Sequence, residues 1–156
     1  MPLQARIHAD MTQALRELKA AGDAGRLRLD ALRVLVAEIK NAEIAAGGDL
    51  DDEGVVQVVA REVKKRREGA DEAAKAARED IALQERAKAE VLTVYLPEQL
   101  TDDELATLVD DAVSATGATG RKEMGKVMGW LAPRIKGRAD GKTASRLVSE
   151  RLAAGD

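Results

Sequence analysis

Tyr95-Leu-Pro-Glu-Gln-Leu-Thr-Asp-Asp-Glu-Leu105 is the stretch that decides how this chain is organised. Pro97 disfavours helix at Leu96 and has no backbone N–H to donate, so a helix arriving from the N-terminal side must stop here. Thr101-x-x-Glu104 then reads as a capping box. The threonine hydroxyl and the glutamate carboxylate each satisfy a backbone N–H that the first turn of a helix leaves open. Leu100 and Leu105 flank the cap as a hydrophobic staple. One helix ends and another begins within this stretch, which divides the chain into parts 1–96 and 97–156.

On the N-terminal side the apolar spacing is helical. Leu3, Ile7, Met11, Leu15 and Leu18 predict a helix over 3–20, with Gly22 and Gly25 as punctuation. Leu29, Leu32, Val36 and Ile39 predict a second over about 26–46, closed by Gly47-Gly48, since glycine accepts the left-handed cap conformation. Asp51 is the N-cap of a third helix, stapled by Leu50 and Val55, with Val55, Val56, Val59 and Val63 facing the core. From Lys64 to Asp80 alanine is the only apolar residue type except for glycine. This segment is expected to protrude into solvent and to turn near Gly69 or at Ala77-Arg78. A fourth helix returns Ile81, Leu92, Tyr95 and Leu96 to the core.

On the C-terminal side, Leu105, Leu108, Val109 and Val113 define a fifth helix that stops at Gly117. A sixth spans about 121–135 and a seventh about 141–153, behind an Asp140 N-cap. No strand-like alternation of useful length occurs. The expected fold class is all-α: an N-terminal four-helix part plus a C-terminal three-helix part.

Of 156 residues, 45% are hydrophobic and 34% charged, a balance that supports a packed core rather than disorder. With no Phe, one Trp (Trp130) and one Tyr (Tyr95), packing must come from aliphatic side chains. The absence of cysteine excludes disulfides, thiolate metal sites and a cysteine nucleophile. The N-terminus is polar and lacks an apolar signal core, and no apolar run approaches the ~20 residues that span a bilayer. A cytoplasmic protein with no membrane partner is expected.

Catalytic chemistry is hard to find. His8 is the only histidine and has no second ligand or nucleophile beside it. Ser114, Ser145 and Ser149 sit in no glycine-rich nucleophile turn and beside no Ser-Lys arrangement. Asp51-Asp52-Glu53 and Asp102-Asp103-Glu104 fall at helix starts, where carboxylates oppose the positive end of the dipole. Gly137-Arg-Ala-Asp-Gly-Lys-Thr143 is one residue short of a phosphate-binding P-loop, and helix rather than strand precedes it. No catalytic residue, metal or cofactor is expected of this chain alone.

The net charge of −3 hides an asymmetry. Residues 97–120 carry six acids and no base; residues 121–156 carry nine bases and four acids. Lys64-Lys65-Arg66-Arg67 is the densest basic run, but four consecutive helical positions wrap the helix rather than form a patch. The sixth helix is more informative. Met124, Val127, Met128, Leu131 and Ile135 form its core stripe, with Gly125 and Gly129 beside that stripe and Lys122 and Lys126 beyond. Pro133 leaves the carbonyl of Gly129 without its helical donor. Two helical glycines each cost about 1 kcal/mol relative to Ala, so something is expected to approach the backbone there. Either a neighbouring helix packs into the groove, or a phosphate backbone lies along it between lysines. The second reading makes Lys122, Gly125, Lys126, Gly129, Lys136, Arg138, Lys142 and Arg146 the nucleic-acid-binding residues. Lys142 and Arg146, four apart, share a helix face. No aromatic platform is apparent among these bases, so recognition by backbone shape and charge is expected.

Two groups of segments resemble the GatB/YqeY family. LRVLVAEIKNAE (32–43), REVKKRRE (61–68) and YLPEQL (95–100) are similar to YqeY-like proteins. MGKVMG (124–129) and KGRADGK (136–142) resemble both those proteins and the tail of GatB, the B subunit of the glutamine-dependent tRNA amidotransferase. The resemblance runs in order along essentially the whole chain; Gly54 departs from it, at a position where a better helix former is expected. It implies a four-helix part and a three-helix tail, and a non-catalytic tRNA-binding or tRNA-sensing module. The alternative is an accessory subunit of a glutamine-dependent amidotransferase or aminoacyl-tRNA synthetase assembly, docking through the acidic 97–120 segment and the exposed helix tip of the 64–80 stretch. The family name carries an association with carbon–nitrogen ligase chemistry, glutamine being the amido donor. Neither the kinase-like catalytic domain of GatB nor the Ser-Ser-Lys residues of its amidase partner has a counterpart in these residues. Oligomeric state is left open.

Overall fold

A computed structural model describes residues 1–155, all-α and without a strand among them. The chain divides into two compact units, Met1–Leu96 and a second from Pro97 onward. The first contains α1 (Leu3–Ala46), α2 (Asp52–Lys75) and α3 (Glu79–Thr93). The second contains α4 (Asp102–Thr116), a 3-10 turn (Arg121–Glu123), α5 (Met124–Ile135) and α6 (Gly141–Ala153).

The two helices expected over 3–20 and 26–46 are the two arms of α1, and no loop separates them. The break is one residue wide, at Gly22, whose φ of 60° and ψ of −139° are open to glycine alone without strain. Gly25 is buried in the crook of the bend; a Cβ there would meet the Cβ of Ala21 at 2.5 Å. The first arm buries Ile7 and Ala14 and half-buries Leu3, Met11 and Leu18. Leu15, expected in the core, is 52% exposed. Repeated steps of four drift about 40° each around a helix, so a step of three, to Ala14, is what keeps the stripe on one face.

The second arm contributes Leu29, Leu32, Leu35 and Ile39 to the core; α2 adds Val55, Val58, Val59 and Val63. Val36 and Val56, placed on the core stripes from sequence, are half-buried beside them. Asp51 caps α2 by accepting from the Gly54 N–H at 2.8 Å. Gly54 has a local reason: a Cβ there would stand 3.2 Å from both Asp51 Oδ1 and Leu50 Cδ2, so glycine makes room for the cap and for Leu50 docking on the core. The α2–α3 turn comes at Ala76–Arg78, with Ala77 at φ 58°, and Gly69 stays inside α2. α2 packs against α3, and Ala70 and Ala82, one on each helix, are fully buried. Arg66 and Glu85 bridge the pair at 3.2 Å.

The second unit is a three-helix bundle in which each helix packs on the other two. Leu105, Val109 and Ala112 meet Val127, Leu131 and Ile135, and both meet Ala144, Val148 and Leu152. The capping box forms as read: Thr101 Oγ1 accepts from Glu104 N at 3.1 Å, and Thr101 N donates to Glu104 Oε1. Gly117 closes α4 in the left-handed conformation, and Asp140 caps α6 through Lys142 N.

Candidate nucleic-acid interface

α5 is amphipathic because its apolar residues fall on one side and none of its residues is acidic. Val127, Leu131 and Ile135 are buried, and Met124 and Met128 half-buried. Gly125 and Gly129 lie about 120° and 160° around the helix from Leu131, on the solvent side rather than beside the core stripe. A Cβ added at either would meet nothing within 4 Å. Within the described residues, then, no helix packs into this groove. Exposed Pro133 extends the strip by another turn, and α5 continues past it, since Lys136 N still donates to Ala132 O at 3.1 Å.

Lys122, in the 3-10 turn, and Lys126 are exposed and border this strip. Neither has a carboxylate partner among the described residues. Lys142 is exposed in the first turn of α6, its backbone N–H held by Asp140 at 3.3 Å. These three are the free cations of the predicted set.

The other predicted bases are differently employed. Lys136 is exposed at the end of α5 and already engaged in an interaction. Arg138 is half-buried and structural: its Nε donates to the Glu98 carbonyl at 3.1 Å, and its own carbonyl accepts from Leu100 N at 2.9 Å. With Gln99 Nε2 on the Gly137 carbonyl at 2.7 Å, these bonds lace segment 97–100 onto the turn before α6. Arg146 pairs with Glu150 one turn on, at 3.0 Å. Arg151, not among the predicted residues, reaches Asp110 of α4 at 2.8 Å, an ion pair between the acidic 97–120 segment and the basic segment after it.

An aromatic element, not expected from the sequence, joins this face. The guanidinium of Arg134 lies over the Trp130 ring, 3.6 Å from its centroid, and Arg134 Nη1 also donates to the Trp130 carbonyl. A flat cationic and aromatic surface therefore accompanies the lysines. Its signal in the sequence is a Trp and an Arg four residues apart, a spacing that stacks side chains along a helix.

The basic run on α2 is largely answered by neighbours: Lys65 by Glu62, Arg66 by Glu85 and Arg67 by Glu90. His8 is exposed on the first arm of α1, and its carbonyl accepts from Thr12 Oγ1 at 3.1 Å. Among the described residues no cluster of three or more His, Asp or Glu could hold a metal ion.

A profile of one protein family, described as Yqey-like protein, matches residues 4–152 and so spans both units. The chain belongs to the Yqey-like family. A fungal protein similar to it, from Pyrenophora tritici-repentis (strain Pt-1C-BFP), is named Altered inheritance of mitochondria protein 41, mitochondrial. The two are 30% identical over 152 residues, covering 96% of this chain and 80% of the fungal protein. The Yqey-like match takes in the whole of α5 and the turn that follows it.

Proposed function

We propose that this Yqey-like protein is a non-catalytic tRNA-binding or tRNA-sensing module that uses the outer face of α5. The observation that carries the reading is the pair of open glycines, Gly125 and Gly129, on the acid-free helix α5, bordered by Lys126 of that helix and by Lys122 of the 3-10 turn before it. A strip without side chains lets a phosphate backbone approach the helix closely. Lysines beside it neutralise phosphates and release their counterions, which is the main sequence-independent source of nucleic-acid affinity. Lys142, in the first turn of α6, adds a charge at a helix N-terminus, where backbone N–H groups favour an anion. The similarity to the tail of an amidotransferase B subunit points to tRNA as the RNA in question, and the reading carries with it a cytoplasmic address. The fungal relative is mitochondrial by its name, and that assignment concerns the fungal protein.

The second reading, an accessory subunit of an amidotransferase or synthetase assembly, draws on α4. Asp102, Asp103, Glu104 and Asp111 are all exposed and together form an acidic surface suited to a basic protein partner. Gel shifts with total tRNA separate the two. The RNA reading expects retention of tRNA at physiological salt, stronger than that of random RNA of equal length. Equal retention of both, or of neither, contradicts it.

A further inference from the structure

We infer that Trp130 and Arg134 form a stacking platform for one unpaired nucleobase, set beside the backbone track of Gly125 and Gly129; this rests on the RNA-binding reading above. At 3.6 Å from the ring centroid the guanidinium lies against the indole face. Turned edge-on at that distance, it would drive a nitrogen into the ring. Its bond to the Trp130 carbonyl pins it a second time, one turn back along the helix. Trp130 is half-buried and packs against the core of the second unit, whereas Arg134 is exposed. The layers therefore run core, indole, guanidinium, solvent, and the outer face of the guanidinium is open.

Three further facts favour a base on that face. No carboxylate among the described residues pairs with Arg134, and α5 contains none. Trp130 is the chain's one tryptophan, placed on a surface flank in a protein whose cores are otherwise aliphatic apart from Tyr95. Around the helix, Trp130 follows Gly129 and Arg134 follows Pro133 by about 100° each, so the stack walls one side of the open strip. A planar cation held flat presents what a nucleobase stacks on. A paired base has both faces covered by its neighbours in the duplex, so the occupant must be unpaired. An acidic peptide fits less well: a carboxylate seeks the guanidinium edge in bidentate pairing and gains nothing from its face.

The test compares an RNA hairpin carrying an unpaired loop with a fully paired duplex of the same length, for wild type, Arg134→Lys and Lys126→Ala. Arg134→Lys keeps the charge and removes the plane. Wild type is expected to favour the looped RNA about ten-fold, the scale of one base stacked on a side chain. Arg134→Lys should lose most of that preference while keeping its affinity for the duplex. Lys126→Ala should weaken both RNAs alike. An unchanged loop-to-duplex ratio in Arg134→Lys overturns the platform. If wild type binds both RNAs equally and Lys126→Ala weakens them, the platform falls and the backbone reading stands. If wild type binds neither RNA, both fall together.

Discussion

The Tyr95 hydroxyl donates a 2.6 Å hydrogen bond to Asp10, tying the segment after α3 to the first arm of α1. Arg6 lies over the same ring, 5.0 Å from its centroid. Burial and then Asp10 raise the Tyr95 phenol well above its ordinary value of 10.0. Ionisation therefore occurs first in the unfolded chain. The sign follows: this group's contribution is fully present below pH 10 and is lost as pH rises beyond it, by about 1.4 kcal/mol per pH unit. Tyr95→Phe removes the effect along with a hydrogen bond. At pH 7 the variant should be about 1 kcal/mol less stable than wild type, and the gap should close above pH 10. Urea unfolding at pH 7 and at pH 10.5–11.5 measures it; a gap that does not change with pH contradicts the assignment.

Backbone conformation gives a pair of opposite substitutions. Ala77 holds a positive φ of 58° in the α2–α3 turn, a conformation that costs an L-residue roughly 1 kcal/mol. Ala77→Gly should raise stability by a few tenths to about 1 kcal/mol. Gly22→Ala forces a side chain into a backbone geometry reserved for glycine and should lower stability by about 1–3 kcal/mol. Thermal unfolding of both variants checks the pair, and a stabilised Gly22→Ala would mean that the bend in α1 is not held as described.

Local signals are the legible part of this fold. Asp51, Thr101 with Glu104, Asp140, Gly47 and Gly117 act within one turn of themselves, so the caps they imply can be read without tertiary information. The α2–α3 turn is harder, because Ala76 and Ala77 carry no turn chemistry and Gly69 offers a false alternative. Leu15 misleads because a run of leucine-like residues at steps of four hides the drift that Ala14 corrects. In the candidate site the residue types are readable and their employment is not. That Arg138 laces a turn and Arg146 pairs with Glu150 depends on which side chains the fold brings within reach. The orientation of Gly125 and Gly129 is likewise set by the bundle, which takes the wider apolar stripe inward.

Those glycines give the third prediction. Since a Cβ at Gly129 meets nothing within 4 Å, Gly129→Leu should leave stability unchanged or raise it by up to about 1 kcal/mol through better helix propensity. Affinity for tRNA should nonetheless fall at least several-fold, because the side chain blocks close approach of the backbone. Denaturation and gel shift on one protein sample separate the two effects. A drop in stability would reveal an intramolecular contact, and unchanged binding would remove the glycine strip from the interface.

Each unit has its own apolar core, with Pro97 between them. The 1–96 fragment is expected to unfold cooperatively on its own. A broad, non-cooperative thermal transition in that fragment, followed by circular dichroism, would show that the first unit depends on residues beyond Leu96.

The reading of α5 as a phosphate track is tested most directly by a salt titration of tRNA binding. Lys126 and Lys142 are unpaired, whereas Arg146 is held by Glu150. In the Lys126→Ala, Lys142→Ala double variant the slope of log affinity against log salt should shrink by roughly 1.4–1.8, at 0.7–0.9 for each phosphate no longer neutralised. Arg146→Ala should change it much less. Thermal stability should move little, exposed charges contributing ~0–1 kcal/mol each. Parallel slopes for wild type and double variant would mean that these lysines touch no phosphate, and would contradict the assignment of this face to RNA.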